Sequence, residues 1–232
     1  MSCILNLDTS TEVCSVAVSV DGGCIWHEED ATGPNHAERL GAFVDEALSF
    51  IDSHAIPLDY VAVSSGPGSY TGLRIGVSMA KGICYGHDVP LIAVPTLELL
   101  TVPILLGRIE IEDDALLCPM IDARRMEVYA SIFDAHLNKI EDTAARVIDE
   151  NSFEDLRKDH HLWLFGDGAP KLKKVFENQP NITIVDGFKP SAAYMLPLVE
   201  KALREQNFVD VAYFEPFYLK DFIAGKPHVK GL

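Results

Sequence analysis

The stretch Val61-Ala-Val-Ser-Ser-Gly-Pro-Gly-Ser-Tyr-Thr-Gly-Leu-Arg-Ile-Gly-Val-Ser-Met-Ala-Lys-Gly82 constrains the fold more than any other. It opens with a short apolar run closed by a turn, the pattern of a buried strand. Gly66-Pro67-Gly68 forces that turn to be tight, because Gly tolerates positive φ and Pro fixes its own. Ser69 or Thr71 can cap the helix that follows. A strand, a glycine turn and a helix start, in that order, can aim free backbone N–H groups at an anion. The spacing is not that of a Walker loop, and no Lys follows the turn's last Gly. A strand-to-helix turn that binds nothing therefore stands beside the phosphate reading.

The helix is apolar nearly all round, with Leu73, Ile75, Val77, Met79, Ala80, Ile83, Cys84 and Tyr85. Such a helix is buried on more than one side. One face covers its sheet, and the second needs another helix from this chain or from a second one. Gly72, Gly76 and Ala80, four apart, are expected to form the stripe of close approach.

At 232 residues the chain holds one large domain or two small ones, and 48% hydrophobic content is ample for a core. The formal net charge of −16 argues against tight stand-alone nucleic-acid binding. Cys3, Cys14, Cys24, Cys84 and Cys118 show no C-x-x-C and no metal spacing, and are expected to be small buried hydrophobes in a reducing compartment. No leader is expected, so the protein reads as cytoplasmic. Prolines and Glu98 interrupt the greasy run from Val89 to Gly107, which excludes a membrane span.

Taken in order, the runs at Ile4–Asp8, Val16–Val20 and Ile25–Glu28 predict an antiparallel meander, with a hairpin turn at Asp21-Gly22-Gly23. The first strand ends in the polar cluster Asp8-Thr9-Ser10-Thr11. Leu40, Phe43, Val44, Ala47, Leu48 and Ile51 mark one face of a helix starting near Asn35. His36 lacks a partner at position 40 and reads as a structural or interface histidine. The pattern then restarts. Cys118–Asp122 is again a strand ending in Asp, and Leu162–Phe165 leads into Gly166-Asp167-Gly168 as Val61–Ser65 leads into Gly66-Pro67-Gly68. A helix is expected after Pro170, another over 191–207 with a kink or late start at Pro197, and a mobile end from Ala224.

Ile4-Leu-Asn-Leu-Asp-Thr-Ser-Thr, His36-Ala-Glu-Arg-Leu40, Gly66-Pro-Gly-Ser-Tyr-Thr-Gly-Leu-Arg-Ile-Gly76, Ile121-Asp-Ala-Arg-Arg125 and Pro216-Phe-Tyr-Leu-Lys220 come in that order. The set resembles the TsaB family, also called YeaZ. The resemblance implies an α/β fold of two related actin/Hsp70/sugar-kinase-like (ASKHA) lobes, each a mixed five-stranded sheet with flanking helices. A division into 1–104 and 105–232 is expected, with the C-terminal tail packing back on the first lobe.

The resemblance also implies a non-catalytic partner of TsaD in transferring threonylcarbamoyl to adenosine beside the anticodon of tRNA. TsaE is a further member of the assembly, and tRNA is reached only through the complex. TsaD-like proteins carry a metal-binding His-x-x-x-His where this chain has Thr96-Leu-Glu-Leu-Leu100. Any metal is therefore expected on TsaD, with no cofactor intrinsic to this chain beyond weak nucleotide contact. Asp8, Ser10, Gly66, Gly68 and Ser69 would form a vestigial phosphate turn. Leu40, Phe43, Leu73, Gly76, Met79 and Ala80 are the expected interface with TsaD or with a second copy. The rival readings are a nucleotide-dependent kinase or ATPase of the same fold and a metallopeptidase. The first lacks chain for a sugar pocket, and the second lacks a His-Glu-x-x-His ligand set.

Overall fold

In the computed structural model, which describes residues 2–33 and 35–220, the apolar runs become two five-stranded sheets of one design. The first lobe holds β1 (Cys3–Asp8), β2 (Cys14–Val20), β3 (Gly23–Asp30), α1 (His36–Ser53), β4 (Tyr60–Gly66), α2 (Tyr70–His87), β5 (Leu91–Pro95) and α3 (Thr96–Pro103). The second holds β6 (Leu116–Asp122), β7 (Glu127–Asp134), β8 (Lys139–Val147), α4 (Leu156–Asp159), β9 (Leu162–Phe165) and β10 (Ile182–Val185), and is followed by α5 (Leu196–Glu205).

The sheet orders are β3-β2-β1-β4-β5 and β8-β7-β6-β9-β10. In each, the first three strands form the antiparallel meander and the last two run parallel to the first. The repeat read from Asp8 and Asp122 is thus a repeat of topology.

β1 is central and buried on both faces, so it reads as an unbroken apolar run. Leu5 and Leu7 face α1 and α2 in one core, while Ile4 faces the other way, into a core shared with Leu99, Val102, Leu198 and Val199. The helices that follow β5 and β10 therefore exchange lobes. α5 seals the inner face of the first sheet, and α3 packs against β6 of the second. A cut at residue 104 separates the sheets but not their cores. After α5 the chain runs along the first lobe as far as Phe217. Val209 N–H bonds Leu91 O (3.0 Å), Lys81 Nζ holds Ala212 O (3.0 Å) and Phe214 O (3.1 Å), and Phe217 N–H bonds Ser65 O (2.7 Å). The mobile end expected from Ala224 lies outside the described residues.

One expected helix is reduced to turns, and another takes the late start expected at Pro197. After Pro170 there is one 3₁₀ turn, Pro170–Leu172, followed by further turns. Asn178 and Pro180 close the segment after little more than two turns, and burying Leu172 and Phe176 needs no longer helix. The last helix starts late, at Leu196, with Pro197 in its first turn, where no N–H is needed. β8 and α3 carry no marked signal in the sequence. β8 is a half-exposed edge strand, and α3 is buried nearly all round, so neither shows a clean period.

Candidate functional site

The turn at Gly66 lies where parallel strands end, the usual place for a ligand in such sheets. Its glycines, however, are filled by the chain itself. Gly66 has φ +106°, and a Cβ there would lie 2.7 Å from Phe217 O; at Gly68 it would lie 2.2 Å from Ser10 O. Ser69 N–H bonds Ser10 O (2.7 Å), and Gly66 N–H bonds Thr96 Oγ1 (3.1 Å). Ser69 Oγ accepts Gly72 N–H (3.2 Å) and caps α2. Two of the N–H groups expected to face a phosphate, those of Gly66 and Ser69, are thus committed to Thr96 and Ser10, and the space at Gly66 and Gly68 is taken by the tail and by the backbone after β1. The second lobe repeats the arrangement. A Cβ on Gly166 would meet Met120 O at 2.2 Å, and one on Gly168 would meet Ile121 C at 2.9 Å.

Asp8 is fully buried. Its Oδ1 accepts Ser10 Oγ–H (2.8 Å) and Ser10 N–H (3.2 Å), whereas Oδ2 has no hydrogen-bond partner among the described residues. Burial raises its carboxyl above the usual range, opposed by the nearby Ser64 hydroxyl and by the hydrogen bonds from Ser10. Asp122, its counterpart, is exposed and paired with Lys171. At the position of the expected metal pair, Thr96 Oγ1 serves Gly66 and Leu100 is buried in the apolar core. These residues do not suit a metal, and no group of three His, Cys, Asp or Glu among the described residues could hold one. His36 is structural: it is buried, with Nε2 2.6 Å from Thr11 O.

The interface expectation needs correction. Leu40, Leu73 and Ala80 are at most 1% exposed, Phe43 is buried, and all serve their own lobe. The Gly72–Gly76 stripe is likewise internal. A Cβ on Gly76 would lie 2.3 Å from Thr9 Oγ1, and one on Gly72 would lie 2.1 Å from Thr9 O. The stripe lets α2 close on the end of β1, where Thr9 Oγ1 donates to Gly72 O (2.7 Å). Of the six residues, Met79 alone stays partly accessible.

A second small-residue row on α2, Ser78-Gly82-Gly86, faces outward. A Cβ on Gly82, on Gly86 or on Gly41 of α1 would meet nothing within 4 Å. With Ala37, Arg74, Ile75 and Met79, this row lines an open groove of about 720 Å³. Tyr85, 88% exposed, stands over an adjoining groove edged by Lys81 and Val211. The sequence does not single out this row, because one helix carries two stripes of equal spacing and nothing in the sequence says which turns inward. The side-by-side run of Ser78, Gly82 and Gly86 with bulky Tyr85 was the available signal.

Comparison with known proteins finds relatives over nearly the whole chain. A family profile described as TsaD, tRNA N6-adenosine threonylcarbamoyltransferase, matches residues 29–225. The Escherichia coli K12 tRNA threonylcarbamoyladenosine biosynthesis protein TsaB is 32% identical, covering 96% of this chain and 96% of its own length. The Bacillus subtilis TsaB is 30% identical, with coverage of 94% and 93%. The solved YeaZ from Pseudomonas aeruginosa shares the fold, with TM-score 0.74 at 24% identity over 94% of this chain and 100% of that one. Identity at this level over nearly the full length, beside a TsaD-type profile matched over residues 29–225, places the chain: it belongs to the TsaB family of tRNA threonylcarbamoyladenosine biosynthesis proteins.

Proposed function

We propose that the chain is the non-catalytic subunit of a threonylcarbamoyl-transfer assembly and docks the catalytic TsaD-type subunit on the outer face of α1 and α2. The observation that carries this reading is the contrast between glycines. Gly72 and Gly76 are required by their own chain, whereas Gly41, Gly82 and Gly86 answer to nothing inside it. An exposed glycine within a helix costs about 1 kcal/mol relative to alanine. Gly82 and Gly86, kept in one groove beside half-buried Ile75 and Met79, are explained by another helix that must come close.

The chemistry of the glycine turn supports the non-catalytic reading. The glycine turn spends the Gly66 and Ser69 N–H groups on Thr96 and Ser10, and Thr96 and Leu100 stand where the family resemblance puts the metal ligands of a catalytic paralogue. A nucleotide-dependent kinase would need that turn open. The subunit thus needs no cofactor of its own, and the metal belongs to TsaD. TsaE and tRNA are met through the complex. Without TsaD, the same face of a second copy offers an isologous dimer.

Mixing the chain with the TsaD-type transferase and measuring stoichiometry by light scattering tests the reading. A one-to-one pair that forms at the expense of any homodimer supports it. Modification of tRNA by the isolated chain would refute the non-catalytic role, and a pair that forms equally well with Gly82→Leu would refute the docking face.

A further inference from the structure

The tip between β6 and β7 is left unused by the docking reading. Arg124 and Arg125 both have positive φ, +71° and +52°. Two successive non-glycine residues in the left-handed region are uncommon, and Asn or Gly would make such a turn at less cost. The tip is fixed rather than slack. Arg124 N–H bonds Asp122 Oδ1 (2.8 Å), Ala123 N–H bonds Glu127 O (3.1 Å), and Ile148 N–H bonds Met126 O (2.8 Å).

Both arginine side chains are exposed, and among the described residues neither has a hydrogen bond or ion pair. The adjacent acids are already neutralised: Asp122 pairs with Lys171 and Glu127 with Lys220. Asp167 is half-buried and turned onto Asp122 N–H (3.0 Å). Two guanidinium charges therefore stand uncompensated on a chain of net charge −16.

A line of contacts ties the tip to the docking helix. Lys220 pairs with Glu127, the rings of Tyr218 and Tyr70 lie 4.9 Å apart at the start of α2, and Tyr70 Oη accepts Arg74 Nη1–H (3.0 Å) at the groove's edge.

We infer that Arg124 and Arg125 grip the phosphate backbone of the RNA that the assembly modifies. This rests on the docking reading above, since the acidic chain alone repels a polyanion. A guanidinium presents a planar fork that matches phosphate oxygens. Phosphate contacts are point-like and need only a rigid placement, whereas a protein partner needs a broad surface that a hairpin tip does not offer.

The test is Arg124→Gly/Arg125→Gly in the assembled complex, with tRNA binding followed by fluorescence anisotropy from 50 to 200 mM salt. Glycine adopts these φ values freely, so the turn persists, and an unshifted thermal midpoint checks it. The expected result is a roughly tenfold loss of tRNA affinity and a salt slope reduced by about 1.4 to 1.8, the share of two phosphates. Arg→Lys at both positions should restore the slope. Unchanged affinity and slope in an intact complex overturn the inference. Weakened subunit association with unchanged tRNA affinity per complex also overturns it, in favour of an acidic protein surface. Should the wild-type chain fail to join the transferase, the docking reading falls. With no assembly to carry the tip to the RNA, the inference then falls with that reading, an outcome told apart from the others by the light-scattering stoichiometry.

Discussion

Gly76→Ala and Gly82→Ala, one methyl each and six residues apart on α2, should act in opposite directions. At Gly76 the new Cβ falls 2.3 Å from Thr9 Oγ1, a distance real Cβ atoms do not adopt. Thr9 cannot swing away freely, because its hydroxyl is bound to Gly72 O (2.7 Å) and its backbone follows β1. α2 must lift, and overpacking of this kind costs about 1–3 kcal/mol. For a chain of this size that lowers the thermal midpoint by roughly 2–12 °C. At Gly82 the methyl meets nothing within 4 Å, and the helix gains most of the roughly 1 kcal/mol that separates Gly from Ala. The lone chain should melt about 2–4 °C higher. The same methyl intrudes where the partner helix lies, so association with the TsaD-type subunit should weaken about five- to a hundredfold, by the same overpacking cost. Differential scanning calorimetry of the lone chain and isothermal titration with the partner read the two effects separately. If Gly82→Ala stabilises the chain and leaves association untouched, the outward stripe is idle and the assignment of α2 fails. If Gly76→Ala leaves stability unchanged, the reading of the inward stripe fails with it.

Other consequences can be checked on the lone chain. Asp8→Asn should raise stability most at pH 8 and least near pH 4. The folded carboxyl is raised by burial, so its favourable contribution is full below the unfolded value and is lost as pH rises through the folded one; a pH-independent gain would refute this. Asp8→Ala should leave partner binding intact, by the same titration. Lys81→Met removes the cation holding Ala212 O and Phe214 O, so limited proteolysis should cut the 208–220 segment faster while the sheets stay resistant. With Ellman's reagent one thiol, Cys24, should react in the native protein and five in denaturant, because Cys3, Cys14, Cys84 and Cys118 are buried with thiols pushed up to about 11 or 12.

Much of the fold is legible because the central strands and the two long helices each obey a single period. Leu40 to Ile51 marks one face of α1, and the Asp8 and Asp122 strand ends mark the repeat. The site is less legible, because a glycine records that something comes close and not what it is. Gly66, Gly68, Gly72 and Gly76 look in sequence like a phosphate turn and a docking ridge. In space they meet Phe217, Ser10 and Thr9 of their own chain. Those neighbours come from distant parts of the sequence, so no local pattern could reveal them. The one dependable local signal there was Ser69, whose cap depends only on its own helix.

The repeat also explains why one lobe should do the docking. By topology, α1 and α2 correspond to the connections between β8 and β9 and between β9 and β10. In the second lobe these connections are the four-residue α4 and the 3₁₀ turn at Pro170–Leu172. An element that short offers no helical row for a partner to lie along, since a side-chain row repeats only every three or four residues. The second lobe instead keeps the rigid β6–β7 tip, whose two arginines have no ion pair among the described residues. If the docking face were grafted out of existence by Gly82→Leu, the second lobe should supply no substitute, and association should fall to background rather than shift to another surface. Residual association of the same stoichiometry would show that the asymmetry between the lobes does not set the interface.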